Sequence, residues 1–160
     1  MNSMTTEMPS IEPYLENRAK NSKLMGLDLG TKTIGIAFSD VRLSIASARE
    51  TLQRKKFTSD ANHLINLAKD EAVFAIVLGL PLNMDGSEGP RSQSTRAFAR
   101  NLSKMIEFPI FFQDERLSTY AAEQAMLEAD MSRKKRSEKI DAVAAAVILQ
   151  AYLDRLGSSQ

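Results

Sequence analysis

The chain has no cysteine and one histidine, His63, in 160 residues. Without thiols there are no disulfides, no cysteine-ligated zinc and no thiol nucleophile, which suits a reducing compartment. With one histidine, Ser-His-Asp chemistry hangs on a single residue, and a histidine-rich metal site is impossible. No apolar run approaches the ~20 residues of a membrane span. The N-terminus has neither the basic segment nor the apolar stretch of a secretory signal. A cytoplasmic protein with no membrane partner is therefore expected. Net charge is only +1, so no global field steers the chain toward nucleic acid, and any such binding must come from a local patch. What remains is an ordinary globular composition, at a length for one domain with a real core.

The organising stretch is Leu24 to Asp40. Leu24–Leu29 and Ile34–Phe38 read as strands, and Gly30-Thr31-Lys32-Thr33 between them is turn chemistry. Ile45–Leu52 reads as a third strand completing an antiparallel meander. Lys55–Glu71 carries Ala61, Leu64, Ile65 and Ala68 at helical spacing, with Ser59 as N-cap and His63 partly exposed beside the stripe. Ala72–Leu78 is continuously apolar, as a strand covered on both faces must be. It leads into Gly79–Ser87, where Asn83, Asp85 and Ser87 either contact a ligand or only shape turns. Glu88–Glu107 reads as a helix with Phe98, Leu102, Met105 and Ile106 as its core stripe. Pro109–Gln113 reads as a short strand, and a helix capped by Ser118 or Thr119 runs to about Ala129. Met131–Lys139 holds Arg133, Lys134, Lys135, Arg136 and Lys139 against Glu138 alone. It reads as a mobile basic loop, either merely solvated or contacting phosphate. Ile140–Leu156 is apolar nearly all round and reads as a buried helix. The order predicts an α/β fold with a mixed five-stranded sheet, its first three strands antiparallel, and helices on both faces. Met1–Ser22, polar and broken by Pro9 and Pro13, reads as a mostly mobile extension able to fold back on the body.

Acids at three positions need explaining. Asp28 lies inside an apolar strand, where a carboxylate loses hydration. It either caps the following turn or holds a metal. Glu115 ends the last strand. Asp141 opens the last helix, where the dipole alone favours an acid. If the first and last strands are close and the helix crosses them, the three acids share one site. Their mutual repulsion would then be relieved by divalent cations. Two such ions about 3.5–4 Å apart can activate water and stabilise a leaving oxygen in phosphodiester hydrolysis. Mg²⁺ (or Mn²⁺) suits an all-carboxylate set.

Four segments carry a family resemblance. They are Gly26-Leu27-Asp28-Leu29-Gly30-Thr31-Lys32-Thr33-Ile34-Gly35 with Ser39-Asp40; Leu78-Gly79-Leu80-Pro81; Asp114-Glu115-Arg116-Leu117-Ser118-Thr119; and Ile140-Asp141-Ala142-Val143-Ala144-Ala145 with Ile148-Leu149-Gln150-Ala151-Tyr152-Leu153-Asp154. In this order they resemble the YqgF family, also called RuvX, from about Met25 to Leu156. The resemblance implies a ribonuclease H-like nuclease domain over residues 23–157, behind the 1–22 extension, related to RuvC junction resolvases. It implies a metal-dependent endonuclease, either maturing the 5′ end of the small-subunit (16S) ribosomal RNA precursor or resolving four-way DNA junctions. Asp28, Glu115 and Asp141 match its acids as catalytic residues and metal ligands. The expected backbone contacts are Lys32, Arg91, Arg116, Arg133, Lys134, Lys135 and Arg136, with Arg96 and Arg100 near Arg91. Arg116 either pairs with Glu115 or meets phosphate. Structured RNA or branched DNA is the expected partner, and the protein is a monomer or a homodimer.

Two other classes compete. Asp28-Leu29-Gly30-Thr31 also resembles the phosphate hairpin of actin-like and sugar-kinase-like ATPases, but those build a cleft from two such domains and this chain has room for one. A nucleic-acid-binding factor in transcription or ribosome assembly, with little nuclease activity, would bind without cutting.

Overall fold

Alternation along the first two strands sets the architecture. In β1 (Lys23–Leu29), Met25, Leu27 and Leu29 point to one face, and Leu24, Gly26 and Asp28 to the other. β2 (Thr33–Ser39) returns antiparallel, pairing Asp28 with Gly35. β3 (Ala46–Gln53) pairs antiparallel with β2. β4 (Val73–Leu80) then lies parallel to β1, and β5 (Ile110–Asp114) parallel to β4. The sheet order is β3-β2-β1-β4-β5, so the first strand is central, flanked by the meander on one side and the crossovers on the other. This is the mixed five-stranded sheet expected from the order of elements. The computed structural model describes residues 10–117 and 133–158, excepting the side chains of 117, 133–140 and 158. The helix expected after Ser118 lies outside them.

Two helices cover the Met25–Leu27 face. α2 (Phe57–Asp70) brings Ala61, Leu64, Leu67 and Ala68, and α3 (Pro90–Ser103) brings Phe98, Ala99 and Leu102. Ser59 is not the cap of α2. The helix starts two residues earlier, and the buried Asp60 carboxylate accepts the Lys55 backbone N–H at 3.1 Å. His63 is half-buried, its Nε2 3.0 Å from Glu50.

The other face takes α4 (Arg133–Ser158), a helix of 26 residues. Residues 133–139 are thus helical, not the basic loop expected. Arg, Lys and Glu are strong helix formers, and no Gly or Pro separates them from the apolar run that follows. Polarity suggested a loop, but nothing there breaks the helix. The apolar part packs Ala145, Ala146, Ile148, Leu149, Tyr152 and Leu153 against Leu24, Ala37, Ala75, Val77 and Phe111.

The described part of the N-terminal extension folds back beside α4. Ile11 is buried, and α1 (Glu12–Asn17) sets Tyr14 edge-on to Phe111 with ring centroids 5.8 Å apart. Arg18 fastens its end, donating to the Ser22 and Val41 carbonyls at 2.6 and 2.9 Å.

Candidate active site

The α4 face of the sheet is built from small residues. Gly26, Gly35 and Gly79 stand on three adjacent strands, on the face where α4 lies. A Cβ on Gly26 would come within 2.8 Å of Leu149 Cβ, and one on Gly35 would run into the Asp141 carbonyl oxygen. The missing side chains let α4 sink onto the sheet with the Asp141 backbone directly over β2. Asp28 pairs with Gly35 in the ladder. The same close approach therefore brings the Asp28 and Asp141 carboxylates together.

Glu115 arrives from the other side. β5 ends at Asp114, and a 3₁₀ turn (Glu115–Leu117) follows at once. Gly79 is the register partner of Gln113, two residues before Glu115. A Cβ on Gly79 would stand 2.8 Å from Glu115 Oε1 and 2.7 Å from Ile148 Cδ1. The bare backbone of Gly79 thus leaves the space that the Glu115 side chain crosses.

These placements bring Asp28, Glu115 and Asp141 together. The half-buried Asp28 carboxyl is pushed up to about 7 from its ordinary 3.8. Burial is the first cause. The charge of Glu115, a proton shared with it, and the charge of Asp141 add to this, while Arg91 pulls the other way. Asp141 is also anchored, its Oδ2 accepting the Thr33 hydroxyl at 2.7 Å. It lies more than two turns into α4, too far from the start for the helix dipole to account for it. No hydrogen bond ties Asp28 to Gly30 or Thr31 among the described residues; the turn is closed by the Gly30 N–H and the Thr33 carbonyl at 2.8 Å.

The set is all oxygen, as hard divalent cations prefer. No three His, Asp or Glu side chains among the described residues are already closed around one point. Mg²⁺ does not require that, since it usually keeps waters and uses one or two carboxylates with substrate phosphates. Two facing carboxyls that share a proton fit an ion that would displace it.

The basic residues divide. Arg91 is exposed at the start of α3 and acts on Asp28. Lys32 is exposed in the β1–β2 turn. Arg116 pairs with Asp114 at 2.7 Å, not with Glu115, and also donates to the Met84 carbonyl at 3.1 Å, bracing the 82–88 loop. In that loop Asn83, Asp85 and Ser87 bond one another. Arg96 pairs with Glu88 at 2.7 Å. The side chains of Arg133, Lys134, Lys135 and Arg136 lie outside the described residues. Sequence reasoning missed Thr33, Gly35 and Gly79. Their signal was small residues at every second position of β2 (Thr33, Gly35, Ala37, Ser39), and Ala75 and Gly79 on one face of β4, opposite an alanine-rich helix.

A central strand bearing one acid, a neighbouring strand end bearing a second, and a helix laid across them with a third define the ribonuclease H-like nuclease class. Solved structures agree on the fold. T. thermophilus RuvC in complex with Holliday junction substrate superposes with a TM-score of 0.58 at 14% identity, over 86% of this chain and 97% of that one. Fowlpox virus resolvase in complex with substrate Holliday junction DNA gives 0.53 at 10% identity, over 84% and 98%. Within that class the chain belongs to the RuvX family, whose model, described as Holliday junction resolvase, matches residues 22–155. Relatives named "Putative pre-16S rRNA nuclease" include those of Paracoccus denitrificans, 56% identical over 92% of this chain and 93% of the relative, and Ruegeria pomeroyi, 63% identical over 92% and 96%.

Proposed function

We propose that this protein is a divalent-metal-dependent endonuclease that hydrolyses phosphodiesters of structured RNA, with the 5′ end of the 16S ribosomal RNA precursor as its substrate. The observation that carries the reading is the meeting of Asp28 and Glu115, from strands separated by β4, beside Asp141. Three acids brought together in a partly desolvated place are unfavourable without a function. The names of the relatives point to the RNA.

Asp28, Glu115 and Asp141 would hold Mg²⁺ or Mn²⁺. A bound ion supplies charge neutralisation at the phosphoryl oxygens and a competent nucleophile at neutral pH. The chain positions these acids. Thr33 fixes the Asp141 carboxylate, Gly79 leaves room for Glu115, and Arg91 and Lys32 stand ready to receive the strand. Positioning and electrostatics carry the catalysis. The cytoplasm is the place for such a substrate, and no helix among the described residues is long and apolar enough to cross a membrane.

The family model's description favours a second reading, resolution of four-way DNA junctions. One experiment separates the two. Wild type and Asp28→Asn are incubated with Mg²⁺ or Mn²⁺ on a precursor 5′ RNA segment and on a four-way junction. Metal-dependent cutting of the RNA, lost in the variant, is expected. Paired symmetric nicks in the junction would move the assignment to resolution. Binding without cutting by the wild type would leave a nucleic-acid-binding factor.

A further inference from the structure

Next to the acids is a cleft of about 520 Å³ between the β1–β2 turn, the end of β3 and the start of α3. Its wall includes Gly30, Thr31, Arg54, Lys55, Arg91 and Ser94, and no acidic residue among the described residues. Leu29 and Gly30, which also line it, directly follow Asp28, so the cleft opens beside the first acid. Cations sharing one concavity repel one another, and the interaction of Arg91 with Asp28 offsets this only in part. The side chains of Lys55 and Arg91 make no hydrogen bond or ion pair among the described residues.

Arg54 is fixed in place. Its backbone N–H donates to the Lys32 carbonyl at 2.9 Å, its Nη1 to the Gly30 carbonyl at 2.6 Å, and its guanidinium lies 5.8 Å from the centre of the Phe98 ring. A guanidinium has five N–H donors, and that side-chain bond leaves most of them for a ligand. α3 opens at the same place with Pro90 in its first turn, no acid there and no side-chain cap, so the helix dipole adds to the positive field.

We propose that this cleft holds a phosphodiester of the substrate strand adjacent to the one that is cut, with Arg54, Lys55 and Arg91 as its cationic lining. The inference rests on the nuclease reading and extends it, because it places the strand on the β1–β2 turn side of Asp28. Among the described residues the lining contains no aromatic ring on which a base could stack. The contact is therefore to backbone, independent of sequence, and common to RNA and DNA.

The test measures binding without cutting. Wild type, Lys55→Gln, Arg91→Gln, the double variant and Arg54→Lys are titrated in EDTA against a fluorescent precursor 5′ RNA segment and a four-way DNA junction over a range of salt. Lys69→Gln, on an exposed part of α2 away from the cleft, is the control. Each single loss of charge at Lys55 or Arg91 should weaken binding several-fold and reduce the slope of log K against log salt by about 0.7–0.9. The double variant should lose about twice that, while Arg54→Lys, which keeps the charge, should keep the slope. A response with both nucleic acids marks the shared phosphodiester, and a response with one names the source. Lys55→Gln and Arg91→Gln with wild-type affinity and slope, or a wild type that does not bind, would overturn the inference. Because the readout needs no cleavage, a wild type that binds through this cleft yet never cuts would defeat the nuclease reading alone.

Discussion

Asp28 illustrates what a single residue contributes here. Its carboxyl, pushed up to about 7, holds a proton in the fold that the unfolded chain releases near 4. The stability contributed by that proton is complete below the unfolded value and is lost as pH rises through about 7. The metal-free protein should therefore lose melting temperature between about pH 4 and pH 7. Asp28→Asn should flatten that decline and melt above wild type at pH 8, although it should also abolish cleavage. Mg²⁺ should raise the wild-type melting temperature more at pH 8 than at pH 5, because at the lower pH it competes with the proton. Scanning calorimetry across pH, with and without the ion, checks all of this. Coincident melts of wild type and variant at pH 8 would mean that neither burial nor the neighbouring acids disfavour the Asp28 charge. Thr33 is a quieter case. Thr33→Val keeps the shape and removes the 2.7 Å bond to Asp141. A loss of about 1 kcal/mol in urea unfolding is expected. A fall in turnover of roughly tenfold or more should accompany it, as when a ligand's supporting partner is removed. Thr33→Ser should restore both.

At the level of elements, the decisive relation is the depth at which α4 lies on the sheet. Gly35 and Gly79 both make room for it, but they face different neighbours. A methyl at Gly35 meets the Asp141 backbone, which has no slack. Gly35→Ala should lift the active-site part of α4 and cost about 3 kcal/mol or more in denaturant unfolding, at the upper end for overpacking. A methyl at Gly79 meets the ends of two side chains, Glu115 Oε1 at 2.8 Å and Ile148 Cδ1 at 2.7 Å, which can turn aside. Gly79→Ala should fold with a smaller loss of stability and yet lose most of its cleavage, because Glu115 is the group displaced. Equal effects of the two substitutions on stability would show that α4 is freer to shift than its packing implies.

For the whole molecule, one half-buried ion cluster near the surface ties distant parts together. Glu71, just after α2, accepts from Lys23 of β1 and Arg49 of β3, each at 2.6 Å. Bonds from Lys23 and then Arg49 hold its carboxyl below the ordinary range. A depressed acid stabilises the fold above its unfolded pKa of about 4.3, and that contribution vanishes as pH falls through the folded value. Glu71→Gln should cost less than about 1 kcal/mol at pH 7, because the groups are near the surface. That cost should shrink as pH falls below the unfolded value and the carboxyl takes up a proton in the fold. A cost that stays constant as pH falls would assign its role to packing.

Strand periodicity, the apolar run of β4, the helical stripe of α2 and the Phe98 and Leu102 part of that of α3 were legible without coordinates, because alternation and 3.6-residue spacing are local properties. α3 ends at Ser103, and Met105, expected in its core stripe, is exposed. Asp28 was legible for the same reason: a carboxylate within an apolar strand is a local contradiction. The helix through residues 133–139 was misread because polarity was weighed above the absence of any helix breaker. The sequence alone determined the order of the five strands, the mixed sheet and which three acids are candidates for one site. Tertiary structure decided which atoms meet: Thr33 on Asp141, Gly79 beneath Glu115, Arg116 on Asp114 rather than Glu115, and Arg54 and Arg91 on one cleft. It also decided that residues 11–18 cover the sheet beside α4. Apart from Arg116 on Asp114, a choice between two near neighbours, these are contacts between segments far apart in the chain. They depend on how closely a helix can approach a sheet, and that distance is set by which side chains are missing on both surfaces at once.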